Sequence, residues 1–198
     1  MRMNLDGNVA RLAIAVGLVA LGSVASLALF FTVGKPFGAI NDWSIGVLGF
    51  LSGLLAVMLR RRGMPAPTGL GKAASAASVV GAAIVVVGSA LVISQTTGFF
   101  LAGLIESLGF ALIGLWLIAL NRSIASDPRW PRSVPSFGIV AGVIMAIGFA
   151  VVPGIVMGLD DMDTAPAWIW IGYLGWLGIF FIYPIWSIWF GRHGTHVR

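Results

Sequence analysis

Six apolar stretches, each of about twenty residues, dominate this 198-residue chain. They lie at Leu12–Val33, Ile40–Leu59, Ala73–Ile93, Phe99–Leu120, Phe137–Met157 and Ala167–Phe190. A hydrocarbon core of about 30 Å needs roughly 20 residues of helix to cross it, so each stretch is long enough to span a bilayer. The runs are continuous rather than alternating, which selects helices over barrel strands. A soluble fold of this size cannot hide such surface. Apolar residues make up 59% of the chain and charged residues 10%, against about 25% charged in a typical soluble domain. The abundance of Val, Ile, Leu and Phe also excludes disorder. The expected fold is all-α: a polytopic membrane protein with six transmembrane helices in a single domain, 1–198. Three hairpins, at 9–62, 73–122 and 137–191, would build it.

The charges give this bundle an orientation. Arg2 and Arg11 precede the first span, and Arg60, Arg61, Arg62 and Lys72 follow the second. Arg122, Arg129 and Arg132 follow the fourth, and Arg192 and Arg198 close the chain. The other three connections hold Lys35 alone. The positive-inside rule therefore puts both termini in the cytoplasm. Topology also accounts for the isoelectric point near 10.8. No basic run is interleaved with aromatics, so no nucleic-acid partner is expected. The first span is longer than the apolar region of a signal peptide and lacks a small-x-small cleavage site, so it reads as a true span. Trp43, Trp168 and Trp170 fall at the outer ends, Trp186 and Trp189 at the inner end, and Trp130 in an inner loop, all as expected interfacial anchors. Arg60, Arg61 and Arg62 are expected to touch lipid headgroups.

A repeat runs through the hairpins. Their second helices carry Ile45-Gly46-Val47-Leu48-Gly49-Phe50, Ile105-Glu106-Ser107-Leu108-Gly109-Phe110 and Ile171-Gly172-Tyr173-Leu174-Gly175-Trp176. Two-span units keep their orientation, so the expectation is a pseudo-threefold axis along the membrane normal. Gly46, Gly49, Gly109, Gly172 and Gly175 would then allow close helix packing. Further small-residue contacts are expected from Gly49/Gly53, Gly138/Gly142 and Gly154/Gly158. Pro153 and Pro184 are expected to kink their helices.

Glu106 is the one carboxylate deep in a span, and no span holds a basic partner for it. Charges at such depth are costly and face protein or a cavity. Glu106 is expected to pack inward as a protonated or water-linked carboxyl group. Ser26, Ser89 and Tyr173 lie at its level, Asn41 and Asp42 nearer the outer surface, and Gly46 and Gly172 leave room beside it. Two roles stay open: a proton or ligand site in an outward-facing cavity, and a structural hydrogen bond between helices.

Little else carries chemistry. With no cysteine there are no disulfides, thiolate zinc sites or iron–sulfur clusters. No span offers a histidine for haem or a lysine for retinal. Asp160, Asp161 and Asp163 lack the spacing and turn glycine of a calcium loop. The histidines, His193 and His196, belong to the tail. No metal and no cofactor are expected, and no Ser–His or metal constellation marks an enzyme.

Several strings resemble a group of bacterial multi-pass membrane proteins. They are Phe37-Gly-Ala-Ile-Asn-Asp42, Ile105-Glu-Ser-Leu-Gly-Phe110, Pro128-Arg-Trp130, Ile171-Gly-Tyr-Leu-Gly-Trp176 and Tyr183-Pro-Ile-Trp-Ser-Ile-Trp-Phe-Gly-Arg192. The chain is similar to proteins labelled domain of unknown function 4386. That resemblance implies a bacterial cytoplasmic (inner) membrane and supplies no activity. The sequence reading is thus a non-catalytic binding or accessory membrane protein that contacts lipid, a hydrophobic ligand, a membrane partner or a second copy of itself. The alternative is a small proton- or cation-linked transporter or channel using Glu106.

Overall fold

The computed structural model describes residues 7–66 and 68–194. Among them are six helices long and apolar enough to cross a membrane, and no strand. They are α1 (Gly7–Val33), α2 (Phe37–Arg60), α3 (Gly69–Ile93), α4 (Phe99–Ile124), α5 (Ser133–Val156) and α6 (Ile169–Gly194). The chain thus has the build of an integral membrane protein. Arg2, His196 and Arg198 lie outside the described residues.

The larger departures from the expected bounds fall at the end of the bundle that carries the arginines. There α1 starts at Gly7, α3 at Gly69 and α5 at Ser133, while α4 runs on to Ile124 and α6 to Gly194. Hydropathy marks the hydrocarbon layer. Helices continue beyond it, because long basic side chains can remain helical while reaching for water.

Helix ends and breaks follow local rules. Gly34 (φ 90°) stops α1, and its N–H donates back to the Leu29 and Phe30 carbonyls at 3.2 and 3.0 Å. At the end of α3 the same left-handed place is taken by Gln95 (φ 57°), with Gln95 N–H donating to Val92 O and Thr96 N–H to Leu91 O. Helix α5 tightens to a 3₁₀ turn at Ile147–Val151, just before Pro153. Helix α6 loosens into a π turn at Gly178–Ile182, just before Pro184. Proline has no N–H to give, so the hydrogen-bond ladder shifts in the turn before it.

Each helix packs on its neighbours in sequence, and α6 packs on α1, which closes the six into a ring. The most enclosed helix is α4. Glycines set its close approach on both sides. A Cβ at Gly109 would lie 2.6 Å from Gly81 O of α3, and one at Gly114 would lie 2.7 Å from Gly142 O of α5. The α1–α6 seam is similar, since a Cβ at Gly191 would lie 2.6 Å from Ala10 O. Gly109 and Gly175 each face the first helix of their own hairpin, α3 and α5. Gly49 faces the next hairpin instead, through Val85 of α3. Gly53 and Gly138 also pack between helices, whereas Gly158 (φ 64°) ends α5 with nothing near its missing side chain.

Large apolar side chains such as Phe50, Val80, Val143, Phe181 and Ile185 are exposed around the ring. That belt is a liability in water and the natural face towards lipid. Inside, the half of the bundle nearer the arginines is filled. Tyr183, Trp186 and Phe190 stack down one face of α6, and Trp130 stacks on Phe190 with ring centres 4.9 Å apart. Trp130 and Trp186 are therefore buried core residues rather than interfacial anchors. Trp43, Trp168 and Trp170 remain exposed at the opposite end. Asn121 explains Trp186: its Oδ1 accepts the indole N–H at 2.9 Å. In the loop beside Trp130, the Arg129 guanidinium next to Asp127 holds that carboxyl below the usual carboxylate range.

Candidate functional site

The opposite end of the ring, which carries Asp160, Asp161 and Asp163, is not filled. A cavity of about 220 Å³ lies there between α1, α2, α4 and α6. Its walls come from the stretches of these helices nearest that end, several turns deep on α6. Helix α1 supplies Leu27 and Phe31, and α2 supplies Asn41. Phe99, Gly103 and Glu106 recur on one face of α4 at spacings of four and three. Helix α6 gives Trp170, Tyr173, Trp176 and Phe180 by the same rule, and Met162 of the α5–α6 loop reaches the mouth.

Glu106 is the ionisable group deepest in the site. It lies about 10 Å along α4 from Phe99 at 1.5 Å per residue and is 6% exposed. Ser89 Oγ of α3 donates to its Oε1 at 2.8 Å. Its other oxygen, Oε2, takes no hydrogen bond from the described residues. Gly88 makes room for the side chain, since a Cβ there would lie 2.8 Å from Glu106 Cγ. The expectation that Gly46 and Gly172 provide this space is corrected: Gly46 packs on Ser89, and Gly172 on Val151 of α5. Both sit against a neighbouring helix, so neither borders the carboxyl directly.

The other expected site residues divide. Ser89 donates to the carboxyl, whereas Tyr173 lines the same cavity without a hydrogen bond to it. Its hydroxyl donates to Phe100 O at 3.4 Å, a long bond, and its ring stacks on Phe100 at 5.5 Å. Ser26 turns away and donates to Ser23 O of its own helix. Asn41 lines the cavity, and its Oδ1 accepts from Ser23 at 3.0 Å. Asp42 is half-buried and within electrostatic reach of Glu106. At the far end Arg60 Nη1 donates to Lys72 O, and Arg61 is exposed beyond the end of α2. Arg62 is partly buried there. No group of three or more His, Cys, Asp or Glu that could hold a metal occurs among the described residues.

Sequence reasoning missed two features. The first is the aromatic wall. Trp176 Nε1 donates to Ser107 Oγ at 2.8 Å, and its ring packs on Phe180 at 4.9 Å. The available signal was Ser107 beside Glu106, because a second polar residue on a buried helix needs a partner. The second is Asp160. Gly98, which precedes α4, has no side chain to cap that helix. Asp160 Oδ2 accepts from Gly98 N–H at 2.6 Å and Oδ1 from Leu101 N–H at 3.0 Å. A carboxylate is favoured at a helix N-terminus by both the free N–H groups and the dipole. This cap also ties the α5–α6 loop, with Met162, across the cavity mouth.

No family model, no curated protein and no solved structure matches this chain.

Proposed function

We propose that this protein binds a small, largely apolar molecule in the cavity around Glu106. The observation that carries the reading is the contrast between the two halves of the ring. Stacked Tyr183, Trp186, Phe190 and Trp130 fill one half. The other half keeps a cavity whose wall holds the Glu106 carboxyl group, one oxygen of which takes no hydrogen bond from the described residues. Close packing is the rule inside proteins. A cavity inside the ring, mostly apolar and with one carboxyl group in its wall, fits a ligand site better than a structural hydrogen bond alone.

The excess of basic residues at the filled end supports an orientation with that end in the cytoplasm and the cavity facing outward. The resemblance to bacterial multi-pass proteins supports the inner membrane as its location. Glu106 also suits the second reading, a proton- or cation-linked transporter. The aromatic plug favours binding over a channel, because transport would require Trp186 and Tyr183 to leave their hydrogen bonds to Asn121 and Ser52.

Native mass spectrometry of the protein released from mild detergent tests the proposal. The wild type should retain a bound organic molecule, and Gly103→Leu, which places a side chain in the cavity, should lose it. A cysteine at Gly103 that stays unreactive towards small thiol reagents, together with no adduct on the wild type, would overturn the reading.

A further inference from the structure

We infer that the cavity selects an organic cation: a single positive nitrogen attached to a flat or compact apolar body. This rests on the cavity being a binding site and names the class of molecule it takes. Three observations converge. First, Glu106 presents Oε2 with no donor from the protein, and no basic residue lines the cavity. A positive group pairs with the ionised carboxyl through charge, with or without an N–H to donate, and Asp42 lies within electrostatic reach of the same carboxyl. Second, the walls are aromatic. Phe31 of α1, Phe99 of α4, and Trp170, Tyr173 and Trp176 of α6 all line the cavity. Ring faces carry negative charge density, and a desolvated cation over several of them is attracted most strongly. Third, the same end of the ring carries Asp161 and Asp163 beside the helix-capping Asp160, against Lys35, and this acidic excess attracts cations to the mouth.

The alternatives fit less well. An anion would meet Glu106 and the acidic loop, with Lys35 of the α1–α2 loop at that end and no base in the cavity lining. A neutral hydrocarbon would fill the volume and leave Glu106 Oε2 desolvated, with Ser89 on Oε1 as the only hydrogen bond from the described residues. Size also restricts the choice. About 220 Å³ lies below the roughly 300–1,000 Å³ of pockets that hold drug-sized molecules. The ligand is therefore a small amine or quaternary ammonium.

The test uses the full-length protein in lipid nanodiscs, with empty discs as the reference. Three probes of similar shape are titrated by calorimetry and by tryptophan fluorescence: benzyltrimethylammonium, its neutral carbon isostere neopentylbenzene, and phenylmethanesulfonate. The wild type should bind the ammonium at least about tenfold more tightly than the other two. Glu106→Gln, which can still accept from Ser89, should lose that preference. Trp170→Leu should weaken the ammonium several-fold and leave the neutral isostere unchanged. Equal binding of ammonium and isostere to the wild type overturns the cation inference and leaves the cavity reading standing. So does a Glu106→Gln variant that keeps the preference. Failure of all three probes to bind overturns both. The wild-type comparison decides the matter even if Glu106→Gln does not fold.

Discussion

Two residues hold conformations or contacts that their neighbours in sequence do not dictate. Gln95 sits at φ 57° where α3 ends, a place that Gly34 takes for α1. A side chain in the left-handed region costs about 1–2 kcal/mol, part of which glycine returns as entropy in the unfolded chain. Gln95→Gly should therefore stabilise the protein by up to about 1 kcal/mol, read as a higher unfolding temperature in detergent. Asp160 makes the opposite case. It caps α4 from 62 residues away in sequence, so it acts as a cap and a loop tether at once. Asp160→Ala should cost about 1 kcal/mol and raise the reactivity of a cysteine at Met162, which the cap holds over the cavity. Unchanged melting and labelling would remove Asp160 from this role.

At the scale of helices, the glycines are not interchangeable. Gly109 meets the Gly81 carbonyl of α3, whereas Gly22 has nothing within 4 Å of the Cβ it lacks. Gly109→Ala should destabilise by about 1–3 kcal/mol through forced separation of α3 and α4. Gly22→Ala should be neutral or stabilising by up to about 1 kcal/mol, because alanine is the better helix former. Equal effects in a thermal unfolding assay would argue against glycine-set packing. The same pair shows why the sequence could be read for spans but not for faces. Hydropathy reveals a helix long enough to cross a bilayer. It does not say which side of that helix is inside, since lipid tails are as apolar as a protein core. Polar residues mark the inside better. Ser23, Ser52, Ser78, Ser89, Asn121 and Ser187 are all buried, and the pairing of Ser89 with Glu106 was legible for that reason. The aromatic wall was not, because Phe31 and Phe99 line a cavity with residues that suit lipid equally well. Asp160 escaped because a cap reached across the chain leaves no local pattern.

The whole molecule is a ring with two unlike ends, and its function as proposed depends on which end faces which compartment. The filled end carries Arg11, Arg60, Arg61, Lys72, Arg122, Arg129, Arg132 and Arg192, and the cavity end carries Lys35 with Asp160, Asp161 and Asp163. Translocation resists basic loops, so the filled end should remain cytoplasmic. The chain has no cysteine, and single cysteines therefore report each end without background. Ala66 and Thr164 are both exposed, at opposite ends of the ring. A cysteine at Thr164 should react with a membrane-impermeant maleimide in intact cells, and one at Ala66 only after lysis. If the Ala66 cysteine alone reacted in intact cells, the cavity would open to the cytoplasm. Glu106 would then meet cytoplasmic ligands, and the acidic loop could no longer draw cations from outside.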